Sequence, residues 1–184
     1  MARTLTFSRR FPVSHPKKGV FTHFVEKFWR SGNNWPGLDW LQENNGTDIA
    51  SIKDACTTFI AAQGKPARSK GHTIRAGHRF KPGMHFSPRV WAEGPYNSPQ
   101  IKIAPDVLVF NTLRFESKGG FFFLEGKKLH PDSVSIIAAN DGLELEDFLR
   151  WFKHPKAFDG QIIIWDQLID YSNLQFILDE PTTL

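Results

Sequence analysis

Residues Lys70-Gly71-His72-Thr73-Ile74-Arg75 bring an amine, a hydroxyl and a guanidinium into one short segment. If Thr73–Arg75 opens a strand, Thr73 and Arg75 project to one face while Ile74 enters the core. Lys70, just ahead, then bends back over that face. A threonine hydroxyl is a poor nucleophile without an adjacent base. A lysine becomes such a base when desolvation or neighbouring positive charge lowers its pKa, and Arg75 supplies such a charge. From spacing alone, the plainer reading is a solvated basic strand start. Next come a basic turn, Arg79-Phe80-Lys81-Pro82-Gly83-Met84, and an apolar run, Phe86 to Trp91.

Other chemistries are excluded by what the chain lacks. There is no phosphate-binding G-x-x-x-x-G-K-[ST] loop, no G-x-G-x-x-G, no H-E-x-x-H and no G-x-S-x-G. His72, His78 and His85 have no defensible ligand spacing, so no metal and no cofactor are expected. The single cysteine, Cys56, excludes an internal disulfide and a cysteine-rich zinc site. Its place on an apolar helix face marks it as a small buried hydrophobe. The N-terminus lacks a signal-peptide run and no stretch approaches a membrane span. The chain therefore reads as soluble and cytoplasmic, and the Asn45-Gly46-Thr47 sequon as incidental.

A single domain over residues 1–184 fits this length. Hydrophobic residues make up 40% and charged residues 23%, which argues against disorder; 17 Phe point to a ring-built core. The net charge of +4 favours polyanionic partners without requiring one.

Thr4–Phe7 alternates as an opening strand. Phe21, Phe24, Val25, Phe28 and Trp29 form a helical stripe. Residues 32–47 read as a loop whose Trp35 and Trp40 cover a core edge. Thr47 or Asp48 caps a second helix carrying Ile49, Ile52, Cys56, Phe59 and Ile60. Gly64-Lys65-Pro66 breaks it. Strands are expected at Phe86–Trp91, Gln100–Ala104, Val107–Phe115, Phe121–Leu124, Lys127–Leu129 and Gln161–Trp165. Helices are expected from Pro131 and around Leu145–Phe152, with Asn140-Asp141-Gly142 between them. The fold class is α+β, built around a small, mostly antiparallel barrel, with 21–65 a helical insertion and 171–184 a tail.

The order of these segments resembles the ASCH family, a branch of the PUA-like β-barrel domains. The resemblance is carried by Thr6-Phe7, a following helix, Lys70-x-x-Thr73-Ile74-Arg75, the turn Arg79 to Met84, and Asp141-Gly142-Leu143-Glu144-Leu145-Glu146-Asp147-Phe148. It spans most of the chain, although each motif is short. The family is associated with RNA, and one bacterial branch hydrolyses the amide of N4-acetylcytidine nucleosides with a Lys, a Thr and a Glu. The resemblance puts that lysine at Lys70, the threonine at Thr73 and the acid at Asp141, an Asp where the enzymes have Glu. Met84 stands where the turn usually has Asp, and the segment ahead of Lys70 is longer than in the minimal enzymes.

The resemblance implies a module binding RNA or a modified nucleotide or nucleoside through Arg75, Arg79 and Lys81, with Phe80 and Trp91 stacking on bases. The alternative is an amidohydrolase in which Lys70 takes a proton from Thr73, Asp141 orients the base or protonates the leaving amine, and Arg75 or backbone N–H groups stabilise the oxyanion. A third possibility is an accessory domain that binds a protein partner through residues 21–65.

Overall fold

A computed structural model describes residues 2–32, 34–62, 68–152 and 157–177. The expected α+β class holds, with nine strands and five α-helices among the described residues. One sheet contains β1 (Arg3–Phe7), β3 (His85–Trp91) and β4 (Gln100–Lys102) in that order, with β5 (Val107–Leu108) also paired to β3. The second runs β2 (His72–Ala76), β9 (Phe158–Ile164), β6 (Asn111–Lys118), β7 (Phe121–Leu124) and β8 (Lys127–Lys128). β1 lies parallel to β3, and the other ladders are antiparallel. Among the described residues the ladders form two sheets and do not close on one another. They leave β1 and β2 as terminal strands.

The single strand expected over Val107–Phe115 is two strands in different sheets. Val109 exchanges backbone bonds with the β3 side, donating to Met84 and accepting from Gly83. The next residue, Phe110, donates to Ile164 of β9 at 2.8 Å. The chain therefore changes sheets between adjacent residues, a switch that a continuous β-type pattern conceals.

Helix α1 (Phe24–Arg30) starts later than its apolar stripe suggested, because Phe21 is bridged to Arg10 instead. Residues 32–47 are not all loop: Leu38–Asn45 form α2, which turns the fully buried Leu41 inward. Gly37, at φ 88°, supplies the left-handed conformation just ahead of it. Neither Thr47 nor Asp48 caps a helix. A 3-10 segment, Gly46–Ile52, runs directly into α3 (Lys53–Ala61). Trp35 does cover a core edge, its ring 4.6 Å from that of Trp29 and 4.8 Å from that of Phe59. Cys56 is buried as expected, while the Gly64-Lys65-Pro66 breaker lies outside the described residues.

Two ring clusters hold the sheets. Phe7, Phe28 and Phe86 surround Trp165, whose Nε1 donates to Ser31 Oγ at 2.8 Å. On the other face of the second sheet, Phe115 meets Phe122, Phe148, Phe152 and Phe158. Phe148 and Phe152 come from α5 (Leu145–Phe152), which with α4 (Pro131–Asn140) follows β8. Rings of this size dominate the energetics of a core, each burying about 150–250 Å².

Candidate functional site

The start of β2 is fixed by the end of α4. Pro131 sits in the first turn of that helix, where its missing N–H costs nothing. At the other end Asp141 is the C-cap and Gly142 follows at φ 75°. Leu143 N donates to Ala138 O at 2.9 Å and Gly142 N to Ala139 O at 3.0 Å, the paired bonds of a Schellman turn. A Cβ at Gly142 would stand 3.2 Å from both Lys27 Cδ and Lys70 Cβ. The Asn-Asp-Gly-Leu segment is therefore a helix stop that sets the Asp141 carboxylate against β2.

Lys70 meets this stop directly. Its Nζ donates to Asp141 Oδ1 at 2.5 Å and to the Asp141 carbonyl at 2.7 Å, with the Phe24 ring centroid 4.2 Å away. Lys27 Nζ donates to the next carbonyl, Gly142 O, at 2.7 Å. Two ammonium groups thus satisfy the negative end of α4. Lys70 is 1% exposed and Asp141 3%. Burial pulls Lys70 down to about 8 against the upward pull of Asp141, and pushes Asp141 up against Lys70 and Arg75.

A polar chain continues from this pair. Asn140 Nδ2 donates to Tyr171 Oη at 3.1 Å, and that oxygen lies 2.7 Å from His72 Nδ1. Burial raises the Tyr171 pKa, so its phenol stays protonated against the His72 ring. The other ring nitrogen, Nε2, faces Asp141 Oδ1 at 3.8 Å. Among the described residues Nε2 has no hydrogen-bond partner. Burial first, and then the charge on Lys70, hold the His72 pKa well below its ordinary value.

Thr73 and Arg75 do share a face of β2, opposite Ile163 and Gln161 of β9. Thr73 is 2% exposed, and no hydrogen bond joins it to Lys70 among the described residues. Arg75 reaches across to the first sheet, donating from Nη2 to Thr6 O at 2.6 Å and from Nη1 to Ile74 O at 3.4 Å.

That side chain crosses a cleft of about 580 Å³ between β1 and β2. Arg3, Thr4, Thr6, Arg75, Arg79 and Phe80 line it, together with Tyr96 and Gln161. Gln161 pins Phe80 with both ends of its amide, accepting from Phe80 N at 2.8 Å and donating to Phe80 O at 3.0 Å. Arg3 and Arg79 are exposed residues of this lining, beside the buried Phe80.

Of the residues singled out in the sequence, Arg75, Arg79 and Phe80 meet in this cleft. Lys70 and Asp141 meet in the junction beneath β2. Lys81 is exposed and Trp91 half-buried, and neither lines the cleft, although the Trp91 ring lies 5.3 Å from that of Tyr96. Arg3, Tyr96 and Gln161, like Tyr171, come from segments with no motif, and His72 stands inside the Lys70–Arg75 motif without a role assigned to it. No group of three or more His, Cys, Asp or Glu side chains is placed to hold a metal ion among the described residues. Nor is any described helix long and apolar enough to cross a membrane. No protein-family model, curated protein or solved structure matches the chain.

Proposed function

We propose that the chain is an ASCH-type, PUA-like domain that binds RNA or a modified nucleotide or nucleoside in the cleft between β1 and β2. The observation that carries this reading is the lining of that cleft: Arg3, Arg75 and Arg79 beside the rings of Phe80 and Tyr96. Guanidinium groups supply bidentate donors to phosphate, and rings supply a stacking surface that accepts any base. The order of sequence motifs supports the family assignment. The mostly antiparallel sheets are in keeping with that assignment.

The test is equilibrium binding of short single-stranded RNA over a salt series. Affinity is expected to fall as salt rises, because phosphate contacts release counterions. Arg79→Ala is expected to weaken binding severalfold and to reduce the salt slope by about one. Salt-independent binding, or binding untouched by Arg3→Ala and Arg79→Ala together, rejects the cleft as the RNA site. Failure to bind any RNA, nucleotide or nucleoside leaves the partner-binding reading through residues 21–65 in front.

One observation favours the amidohydrolase as second reading: burial brings Lys70 to about 8, close to the range of a working base. Against it, the Lys70 ammonium is engaged by Asp141 rather than by Thr73. Incubation with N4-acetylcytidine, followed by ultraviolet absorbance, separates the two. Turnover abolished by Thr73→Ala establishes the enzyme, and a flat trace across acylated cytidines removes it.

A further inference from the structure

We propose that the cleft takes one unpaired nucleobase edge-on and reads it with the main chain of β1 at Thr4 and Thr6. This deepens the nucleotide-binding reading and rests on it.

β1 and β2 each have a hydrogen-bonded neighbour on one side only. On β1, the Thr6 carbonyl accepts from Arg75 across the cleft, so it points away from β3. Main-chain groups along a strand alternate in direction, which sends the N–H and C=O of Thr4 the same way as those of Thr6. On β2, Gly71 O and Gly77 N bond to the β9 side, and the Ile74 carbonyl takes Arg75 Nη1 instead. Ile74 and Ala76 thus face back toward Thr4 and Thr6. Two rows of main-chain groups outside any ladder look at each other, and the Arg75 side chain, bonded to the Thr6 and Ile74 carbonyls, spans the gap in place of a ladder bond.

An open strand edge invites another strand, but this one is poorly suited to a peptide. The Arg75 guanidinium crosses the edge at Thr6 and interrupts the run of bonds an added strand needs. A single base needs only one acceptor and one donor side by side, which Thr4 C=O and Thr6 N–H provide. The volume of about 580 Å³ falls in the range of small-molecule sites. Two aromatic rings line it, and one of them belongs to Tyr96, which is 87% exposed and held at φ 65°. A non-glycine residue at positive φ in a binding loop is a conformation the surroundings must impose. Arg3 and Arg79, exposed at the rim, are left for the phosphate. A base already paired in a duplex has its hydrogen-bonding edge occupied, so the site selects single strands.

The experiment is calorimetric titration with cytidine 5′-monophosphate, its 3,N4-etheno derivative and ribose 5-phosphate, with amide chemical shifts followed in parallel. The mononucleotide is expected to bind at least about tenfold more tightly than ribose 5-phosphate or the edge-blocked derivative. It alone is expected to shift the Thr4 and Thr6 amides. Equal affinity for all three, or unmoved Thr4 and Thr6 amides on nucleotide binding, overturns edge reading; the broader reading then survives if single-stranded RNA still binds with a salt dependence that Arg79→Ala reduces. Absence of any nucleotide or RNA binding overturns both.

Discussion

Replacing Asp141 with Ala is expected to lower the unfolding free energy by about 3–5 kcal/mol, measured by urea denaturation. The substitution leaves the Lys70 ammonium 1% exposed with only the Asp141 main-chain carbonyl and the Phe24 ring for company. A buried charge stripped of its counter-ion costs far more than the pair itself contributes, because both ions gave up water to form it. The double variant Lys70→Met/Asp141→Leu is therefore expected to recover most of the loss. A double variant as unstable as the single one would mean that the charges do more than offset each other's desolvation. The effect on binding is indirect: the pair fastens α4 to the residues that start β2, and β2 carries Arg75 into the cleft.

Acidification is expected to destabilise the protein through His72. In the unfolded chain a histidine takes up a proton near pH 6.5. In the folded protein burial and the Lys70 charge hold the His72 pKa well below that. Between these two values the unfolded state binds one proton more than the native state, so stability is full above about pH 6.5 and falls as pH drops, by up to about 1.4 kcal/mol per pH unit. Asp141 acts in the opposite sense, from the ordinary carboxylate range upward, because burial raises its pKa in the fold. The His72 contribution is isolated by comparing the wild type with His72→Gln by urea denaturation between pH 7 and pH 5. The variant is expected to show the flatter profile. Parallel profiles would place His72 outside the acid response.

Much of the frame was legible because it rests on local pattern. The β1 alternation, the Phe86–Trp91 strand and the helix carrying Phe148 and Phe152 announce themselves by period. Tertiary packing governed the rest. Helix α2 is anchored by the single buried residue Leu41, too few for a stripe to reveal it. The exchange of sheets at Val109–Phe110 is a choice of partners within one uninterrupted β-type run. The candidate site divides in the same way. Arg75, Arg79 and Phe80 were visible because they are close in sequence, and Gln161 of β9 pins Phe80 and stands opposite Arg75 in the ladder. Arg3 and Tyr96 reach the same cleft from distant segments, and no spacing rule connects them. Lys70 and Asp141 emerged together only through a family resemblance, and it is the Schellman turn at Gly142 that brings them into contact.

The location of bound RNA tests the central claim most directly. Short single-stranded RNA carrying 4-thiouridine, crosslinked by near-ultraviolet light and mapped by mass spectrometry, reports which side chains touch a base. Adducts are expected at Phe80 or Tyr96, reduced when Arg3 and Arg79 are both replaced by Ala. Adducts confined to Trp35, Trp40 or other residues of the 21–65 segment would contradict that claim.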